Sequence, residues 1–191
     1  IISTYAGKGL QGGGGDLGQA TAAKLNSPTA VYGDTNGNVY ISLFSNKKVR
    51  RVGSDGIITT FAGTGTSGST GDNGDAALAT LEGPFGVFVD TQGSVYITDR
   101  TANKVRKVDG STNIITTVAG TGIADDTGID GPATSATLNA PFQSWGDVHG
   151  NLYIADGSNY KVKRVAASTG EITVAAGTGW IHSAGDGGFA T

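Results

Sequence analysis

Aspartates at matching positions of a repeated pattern are the residues of this sequence whose type and spacing could support chemistry. Asp34, Asp90 and Asp147 recur at steps of 56 and 57 residues, each at the end of a β-prone run and three residues before a glycine. Carboxylates gathered at one mouth of a channel could hold a metal ion. The Asp-x-x-Gly pattern is also typical of tight turns, in which Asp accepts backbone N–H groups, and it favours this capping role.

A second set of aspartates lies in long glycine-rich segments, where oxygen ligands on tight turns could bind calcium. This set consists of Asp16, Asp72, Asp75, Asp125, Asp126, Asp130 and Asp186. The pair Asp72 and Asp75 has no glutamate downstream at the spacing of a calcium loop. Turn capping is again the favoured role. We therefore predict no cofactor, with calcium as the alternative.

The other residue types that support catalysis do not form a set. The chain has no cysteine, and its two histidines, His149 and His182, occupy different positions of the repeat. No serine lies in a nucleophile elbow. The sequence therefore predicts no catalytic residues and no enzyme. Trp145 and Trp180 are the candidate binding residues, although for Trp145 a place in the core is favoured over a binding platform.

A sequence repeat positions these residues. Its copies span 25–62, 81–119 and 138–176, and a proline, a Tyr-Ile pair, a basic run and an Ala-Gly-x-Gly element recur in step. Turn residues divide each copy into four β-prone runs. The predicted strands are 29–33, 38–43, 47–52 and 57–62; 85–89, 94–98, 104–108 and 114–119; and 142–146, 151–155, 161–165 and 172–176. By their place in the repeat, residues 1–6 are predicted to be the outer strand of a preceding unit, and 177–191 to be an interrupted loop. Both ends of the chain are therefore expected to be truncated.

Short turns between these strands require an antiparallel meander. One such sheet cannot bury both of its faces, and a repeat longer than 40 residues favours sheets stacked around an axis. The predicted fold class is therefore all-β, a β-propeller of four-stranded antiparallel blades of which about three are present. The first strands are expected near the axis and the fourth strands at the rim. The basic third strands are expected to place their charges in water.

Composition excludes several classes of function. The net charge of −3 and the spread of basic residues over the repeats argue against nucleic-acid binding. No run approaches the roughly 20 apolar residues that a membrane helix needs. The absence of cysteine excludes disulfides and zinc–thiolate sites. The 33 glycines and the 37% of hydrophobic residues are typical of a turn-rich β protein.

The second copy resembles the NHL-repeat family in its bacterial form. The resemblance is carried by Leu81, Pro84, Gly86, Val87, Val89, Asp90, Gly93, Val95, Tyr96, Ile97, Asp99, Asn103, Val105, Arg106, Lys107 and Val108. The resemblance extends over the whole chain, with the second copy matching best. It implies a propeller, commonly of six blades, so that this chain would be about half of the ring. Copy one departs from the pattern at Leu43, and copy three replaces its innermost strand with the irregular 143–146.

The family holds mostly binding modules and a few enzymes, so the resemblance implies a fold more than a function. We predict a non-catalytic interaction or structural scaffold, extracellular or at the cell surface. Its protein or glycan partner is expected at a face formed by the long loops 7–24, 63–79 and 120–137, and self-assembly is a further expectation. The alternatives are a subunit of an extracellular filament, and a lyase or hydrolase of propeller fold whose catalytic half is missing here.

Overall fold

The chain folds into three antiparallel sheets that repeat one another. The computed structural model describes residues 1–180 and Ala190, so most of the predicted loop 177–191 lies outside the described residues. The first sheet contains β1 (Gly18–Gln19), β2 (Pro28–Gly33), β3 (Val39–Leu43), β4 (Lys48–Val52) and β5 (Ile57–Ala62). The second contains β6 (Gly74–Asp75), β7 (Pro84–Val89), β8 (Val95–Asp99), β9 (Lys104–Val108) and β10 (Ile114–Ala119). The third contains β11 (Gly131–Pro132), β12 (Ser144–Gly146), β13 (Leu152–Asp156), β14 (Lys161–Val165) and β15 (Glu171–Ala176).

Each sheet has the same strand order, which for the first is β1-β5-β4-β3-β2. The four longer strands form the meander that the sequence predicts, and most of their ends fall within one residue of the predicted ones. A bulge follows Val49 in the first sheet and recurs at the equivalent place in the other two. The all-β class and the stacked-sheet architecture are confirmed, and we call the three sheets blades 1, 2 and 3.

Each blade has one strand more than predicted. The extra strands β1, β6 and β11 are two residues long and lie inside the long glycine-rich loops. They pair with the first two residues of the fourth strand of the meander, so at those residues the fourth strand is not the outermost one as predicted. Two residues carry no alternation of apolar and polar side chains, which is why the pattern did not show them.

The prediction of a strand over residues 1–6 is not met, because none of these residues lies in a strand. Ile1 and Ile2 are fully exposed, while Ala6 packs against the apolar cluster of blade 1. A strand needs a partner for its backbone groups, and none of the described strands pairs with this segment. The innermost strand of copy three is also shorter than predicted, since β12 begins only at Ser144.

The blades pack face to face with their innermost strands side by side. Thr29 on β2 donates a hydrogen bond of 2.7 Å to the carbonyl of Phe85 on β7. One apolar cluster fills the contact between blades 1 and 2, and another fills the contact between blades 2 and 3. We call these contacts, each with its linker (63–80 or 120–137), junction 1 and junction 2.

The Ala-Gly-x-Gly element marks the place where each meander leaves its blade. Gly63 has a φ of +91°, and a Cβ built on it would lie 2.3 Å from the carbonyl oxygen of Lys47. Gly120 and Gly177 share the φ of +91° and an equally close carbonyl. Any other residue would clash there, so the recurrence of glycine has a steric cause.

The outward faces of blades 1 and 3 differ from the faces inside the stack. Val31 is 67% exposed, whereas Val87, at the same position of blade 2, is 1% exposed. Val162 is 36% exposed, whereas its equivalent Val105 is fully buried. Within residues 1–180 and 190, the structure has no helix of the length and apolarity needed to cross a membrane.

Candidate functional site

The three aspartates considered as candidate metal ligands each close a hairpin turn at one end of the stack. Oδ1 of Asp34 accepts hydrogen bonds from the backbone N–H of Asn36 at 2.9 Å and of Asn38 at 2.8 Å. Asp90 and Asp147 accept the equivalent pairs of bonds. The capping role is therefore confirmed. Among the described residues, no group of three His, Cys, Asp or Glu side chains is arranged to hold a metal ion.

Each hairpin aspartate also belongs to a triad with a tyrosine and a cation. Oδ2 of Asp34 accepts from the Tyr40 hydroxyl at 3.5 Å, and Arg51 lies opposite Tyr40 on the neighbouring strand. Burial, followed by the negative charge of Asp34, raises the pKa of Tyr40 above its ordinary value. The hydroxyl therefore stays protonated at neutral pH and can both donate and accept a hydrogen bond.

The triad recurs in the other two blades. In blade 2, Lys107 is the cation, and its Nζ lies 5.4 Å from the centre of the Tyr96 ring. Burial raises the pKa of Tyr96 in the same way. In blade 3, the Tyr153 hydroxyl donates to Asp147 at 3.3 Å, and Arg164 lies opposite Tyr153.

Tyr40 and Arg51 of the blade 1 triad line a groove at junction 1, which we call groove 1. The groove has a volume of about 410 Å³. Its blade 1 wall contains Tyr40, Arg51, Thr59, Thr60 and Phe61, and its blade 2 wall contains Asp75, Ala77, Gly93, Asp109, Gly110, Ser111 and Asn113. Both walls carry groups that can hydrogen-bond, and such a groove suits a polar ligand.

The triad of blade 2 opens onto the equivalent groove at junction 2, which we call groove 2. Its volume is about 660 Å³. Besides Asp90, Tyr96 and Lys107, it is lined by Thr117, Val118, Pro132, Ala133, Thr134, Gly150, Leu152, Val165, Ala166, Ala167, Thr169 and Gly170. Among the described residues, its blade 3 wall has no charged or amide side chain, so groove 2 suits a more apolar ligand.

The prediction that the basic third strands place their charges in water is wrong at their central residues. Arg50, Arg106 and Lys163 are completely buried. In each strand this side chain lies under the long loop that precedes its blade. There it donates hydrogen bonds to loop carbonyls and pairs with carboxylates. A buried cation requires such partners, and they explain why one basic position of each strand does not reach water.

Two of the aspartates considered as candidate calcium ligands are the partners of these buried cations. Arg50 Nε donates to Asp16 at 2.9 Å, and Arg106 Nε donates to Asp72 at 2.9 Å. The second carboxylate oxygen of each accepts from a threonine hydroxyl, of Thr60 at 2.6 Å and of Thr117 at 2.7 Å. Asp16 and Asp72 are thus held by protein groups, and they tie each loop to its blade.

In blade 3, the buried cation is paired with different residues. Ile129 stands where the other loops have Asp16 and Asp72. Lys163 Nζ instead contacts Asp126 at 2.9 Å and the buried Asp156 at 2.7 Å. Burial raises the pKa of Asp126, but hydrogen bonds from Lys161 and Lys163 outweigh it and hold that pKa below its ordinary value.

The remaining candidate residues have separate places. Asp75 caps a 3-10 turn at Ala76–Leu78 by accepting from Ala77 N–H at 2.8 Å. Asp125 accepts from the backbone N–H of Asp126 at 2.9 Å, and Asp130 has a φ of +65°. Asp186 and His182 lie outside the described residues, and His149 is exposed on its hairpin.

Trp145 lies at the centre of the stack, where each innermost strand contributes one aromatic ring. The centre of its ring is 4.9 Å from that of Phe88 and 5.6 Å from that of Tyr32. It is 53% exposed, so it is neither fully in the core nor isolated on the surface. Trp180, the other candidate, is 74% exposed.

Sequence reasoning missed the cations of the triads and the walls of the grooves. Arg51, Lys107 and Arg164 each lie at the same distance along the chain from the Tyr-Ile pair of their repeat. That regular spacing is a signal, but only the pairing of adjacent strands puts these cations opposite the tyrosines. The grooves join residues of two repeats. A repeat unit considered alone therefore does not contain the site.

Comparison with curated proteins finds a partial match. Protein SUPPRESSOR OF QUENCHING 1, chloroplastic, from Arabidopsis thaliana is 34% identical over 102 residues, which are 53% of this chain and 10% of that protein. The chain therefore spans about a tenth of the length of the curated relative it matches. No protein-family model matches the chain.

Solved structures show the same architecture. A Bacteroides thetaiotaomicron protein of unknown function aligns with a TM-score of 0.62 and 29% identity, over 72% of this chain and 35% of that chain. Virginiamycin B lyase from Staphylococcus aureus aligns with a TM-score of 0.51 and 17% identity, over 77% and 40%. A chain of a nidogen–laminin complex aligns with a TM-score of 0.57 and 18% identity, over 85% and 51%. The fold is a β-propeller, and the described residues form three of its blades.

Proposed function

We propose that this chain is part of an NHL-type β-propeller that serves as a non-catalytic interaction scaffold, outside the cell or at its surface. The observation that carries the proposal is the Asp–Tyr–cation triad, which recurs in all three blades and opens onto grooves at both junctions. Convergent donors and acceptors beside a concave surface are suited to holding a partner. The partner is a protein or a glycan.

The NHL assignment is supported by the structural roles of the motif residues. Asp90 caps its hairpin through the N–H groups of Gln92 and Ser94. Gly86 faces the neighbouring blade so closely that a Cβ on it would lie 2.7 Å from the carbonyl oxygen of Phe142. A ring of six such blades is the proposed whole, and its further blades would cover the exposed outward faces of blades 1 and 3.

The non-catalytic role is supported by the structural roles of the carboxylates among the described residues. The hairpin aspartates cap turns, and Asp16, Asp72 and Asp126 pair with cations. A chain of a nidogen–laminin complex shares the fold at 18% identity, which by itself carries no partner over. The lyase neighbour shares the fold at 17% identity, which gives no reason to carry its chemistry over.

The proposal is tested by reversing one triad charge at a time in the full chain. Arg51→Glu and Lys107→Glu change groove 1 and groove 2, and Lys8→Glu, an exposed residue outside both grooves, is the matched control. We expect retention of the labelled protein on extracellular material of the source organism to fall at least about tenfold in one groove variant and to be unchanged in the control.

Equal retention of all three variants would contradict a binding role for the grooves. Turnover of an ester or peptide substrate with a stoichiometric metal would overturn the non-catalytic role. The location is tested on intact cells with an added protease, which should digest the protein. Complete protection until the cells are broken would remove the extracellular and cell-surface assignment.

A further inference from the structure

Groove 1 brings together three kinds of group that groove 2 does not combine. Phe61 gives an aromatic wall, with its ring centre 4.9 Å from that of Tyr40 and an interplanar angle of 80°. Asp75 and Asp109 give two carboxylates on the opposite wall, and Arg51 gives a guanidinium. The groove is therefore apolar at one surface and able to donate and accept hydrogen bonds at the others.

Part of this hydrogen-bonding capacity is unused among the described residues. Asp75 accepts from Ala77 N–H and from Asn113 Nδ2 through Oδ1 alone. Asp109 likewise accepts all of its bonds from Ser111 and Thr112 through Oδ1. The Oδ2 atom of each carboxylate is free of protein donors within the described chain. Two acceptors thus stand in a groove whose other wall carries Arg51 and Thr59.

The local bonds also fix the geometry of these acceptors. Asn113 Nδ2 holds Asp75 at 3.0 Å, and the Ser111 and Thr112 hydroxyls hold Asp109 at 2.7 and 2.9 Å. Hydrogen bonds from Ser111 and Thr112 keep the pKa of Asp109 far below its ordinary value, so it is ionised at neutral pH. Acceptors that are already oriented lose little entropy when a ligand binds.

We infer that groove 1 binds a sugar ring, with the C–H face of a pyranose against Phe61 and its hydroxyls on Asp75, Asp109 and Arg51. A pyranose has one apolar face and a rim of hydroxyls that both donate and accept, which matches this distribution of groups. A peptide strand adds to an open sheet edge, and β1 already occupies the edge of β5 at Ile57 and Ile58. Two carboxylates disfavour an anionic ligand such as nucleic acid.

Groove 2 is an internal control for this inference. Val118 stands there in place of Phe61, Pro132 in place of Asp75, Ala166 in place of Asp109 and Gly170 in place of Asn113. The tyrosine and the cation are kept. Groove 2 therefore keeps the triad without the groups that the sugar requires, and we expect it not to bind one.

The inference rests on the proposed binding role of the grooves and is tested separately from it. The full chain is titrated with methyl glycosides of glucose, galactose, mannose and N-acetylglucosamine, with binding followed by protein NMR. We expect at least one of them to bind, with affinity reduced about tenfold by Phe61→Ala and about fivefold by Asp75→Asn. Val118→Ala in groove 2 should leave the affinity unchanged.

The variants separate failure of the site from failure of the fold. Asp75 is exposed, so Asp75→Asn should keep the spectrum of the folded protein even if Phe61→Ala does not. The inference is overturned if Phe61→Ala and Asp75→Asn both bind every glycoside with the same affinity as the wild type. Absence of any binding would overturn it as well. If retention on extracellular material is still lost in Arg51→Glu, only the choice of ligand fails, whereas loss of both effects removes the binding role too.

Discussion

Junction 1 and junction 2 join the same kinds of blade and yet carry different polar groups at equivalent positions. In groove 1, Asp75 and Asn113 face Arg51, whereas groove 2 has Pro132 and Gly170 at the equivalent places. In the interior of junction 2, Thr98 donates to Ser144 at 3.1 Å and Lys163 sits between two carboxylates, whereas at junction 1 Val87 stands in place of Ser144. The repeated backbone therefore fixes positions, while each junction has its own chemistry at them.

The buried cations connect this difference to the stability of the fold. Arg106 of junction 1 pairs with Asp72, whose side chain is 38% exposed. Lys163 of junction 2 pairs with Asp156, which is completely buried. A carboxylate that loses its cation can be hydrated in the first case but not in the second, so the two pairs differ in how strongly the fold depends on them.

The largest expected effect comes from removing these cations. We expect Lys163→Met to lower the free energy of unfolding by about 3–5 kcal/mol, because Asp156 keeps only the bonds from Asn139 N–H and Asn159 Nδ2. Arg106→Met should cost less, about 1–3 kcal/mol, since water can reach Asp72. Urea unfolding of the full chain at pH 7 measures both. Equal costs would show that exposure of the partner does not decide the effect.

A smaller difference in stability is expected from the buried hydroxyl groups, which are arranged differently in the interiors of the two junctions. Thr98 and Ser144 hydrogen-bond at junction 2, whereas at junction 1 the equivalents are Ser42 and Val87, and the buried Ser42 hydroxyl has no partner among the described residues. Thr98→Val should cost about 1–3 kcal/mol by leaving Ser144 unpaired. Ser42→Ala removes an unpaired hydroxyl, so it should be neutral or slightly stabilising.

Thermal or urea unfolding of both variants checks this contrast. The two substitutions each remove one hydroxyl from a completely buried site, so they are matched in kind. A cost for Ser42→Ala as large as that for Thr98→Val would mean that the Ser42 hydroxyl has a partner, such as ordered water.

The sequence could predict the blades and the hairpin caps because both depend on short local patterns. Alternating β-prone residues located the four long strands of each blade, and the Asp-x-x-Gly turns located Asp34 and its equivalents at their hairpins. These features are complete within one repeat. A pattern that is read along the chain therefore contains them.

The grooves and the buried cations could not be predicted in the same way. Arg106 is buried because a loop 34 residues earlier in the chain places Asp72 over it, and no local pattern distinguishes it from the exposed Arg51 or the half-buried Lys107. Groove 1 unites Phe61 of one repeat with Asn113 of the next. Position in the repeat shows which residues are equivalent, whereas exposure depends on which neighbour covers them.

The smallest expected effect is a difference in pH dependence between the junctions. At junction 1, burial raises the pKa of Asp99 above its ordinary value, even though it accepts hydrogen bonds from the backbone N–H groups of Gly83 and Glu82. At junction 2, the hydrogen bonds from Lys161 and Lys163 lower the pKa of Asp126 against the effect of burial. The two groups shift in opposite directions, so their contributions to the pH dependence of the intact protein partly cancel.

Asparagine substitutions separate the two contributions. The contribution of Asp126 is present above the unfolded pKa of about 3.9 and is lost as the pH falls through its lower folded value. The stability advantage of the wild type over Asp126→Asn should therefore shrink between pH 6 and pH 3. The contribution of Asp99 is present below about pH 3.9 and is lost as the pH rises through its higher folded value, so the advantage over Asp99→Asn should grow over the same descent. Unfolding free energies across this range measure both slopes, and slopes of the same sign would show that the two junctions do not hold their carboxylates differently.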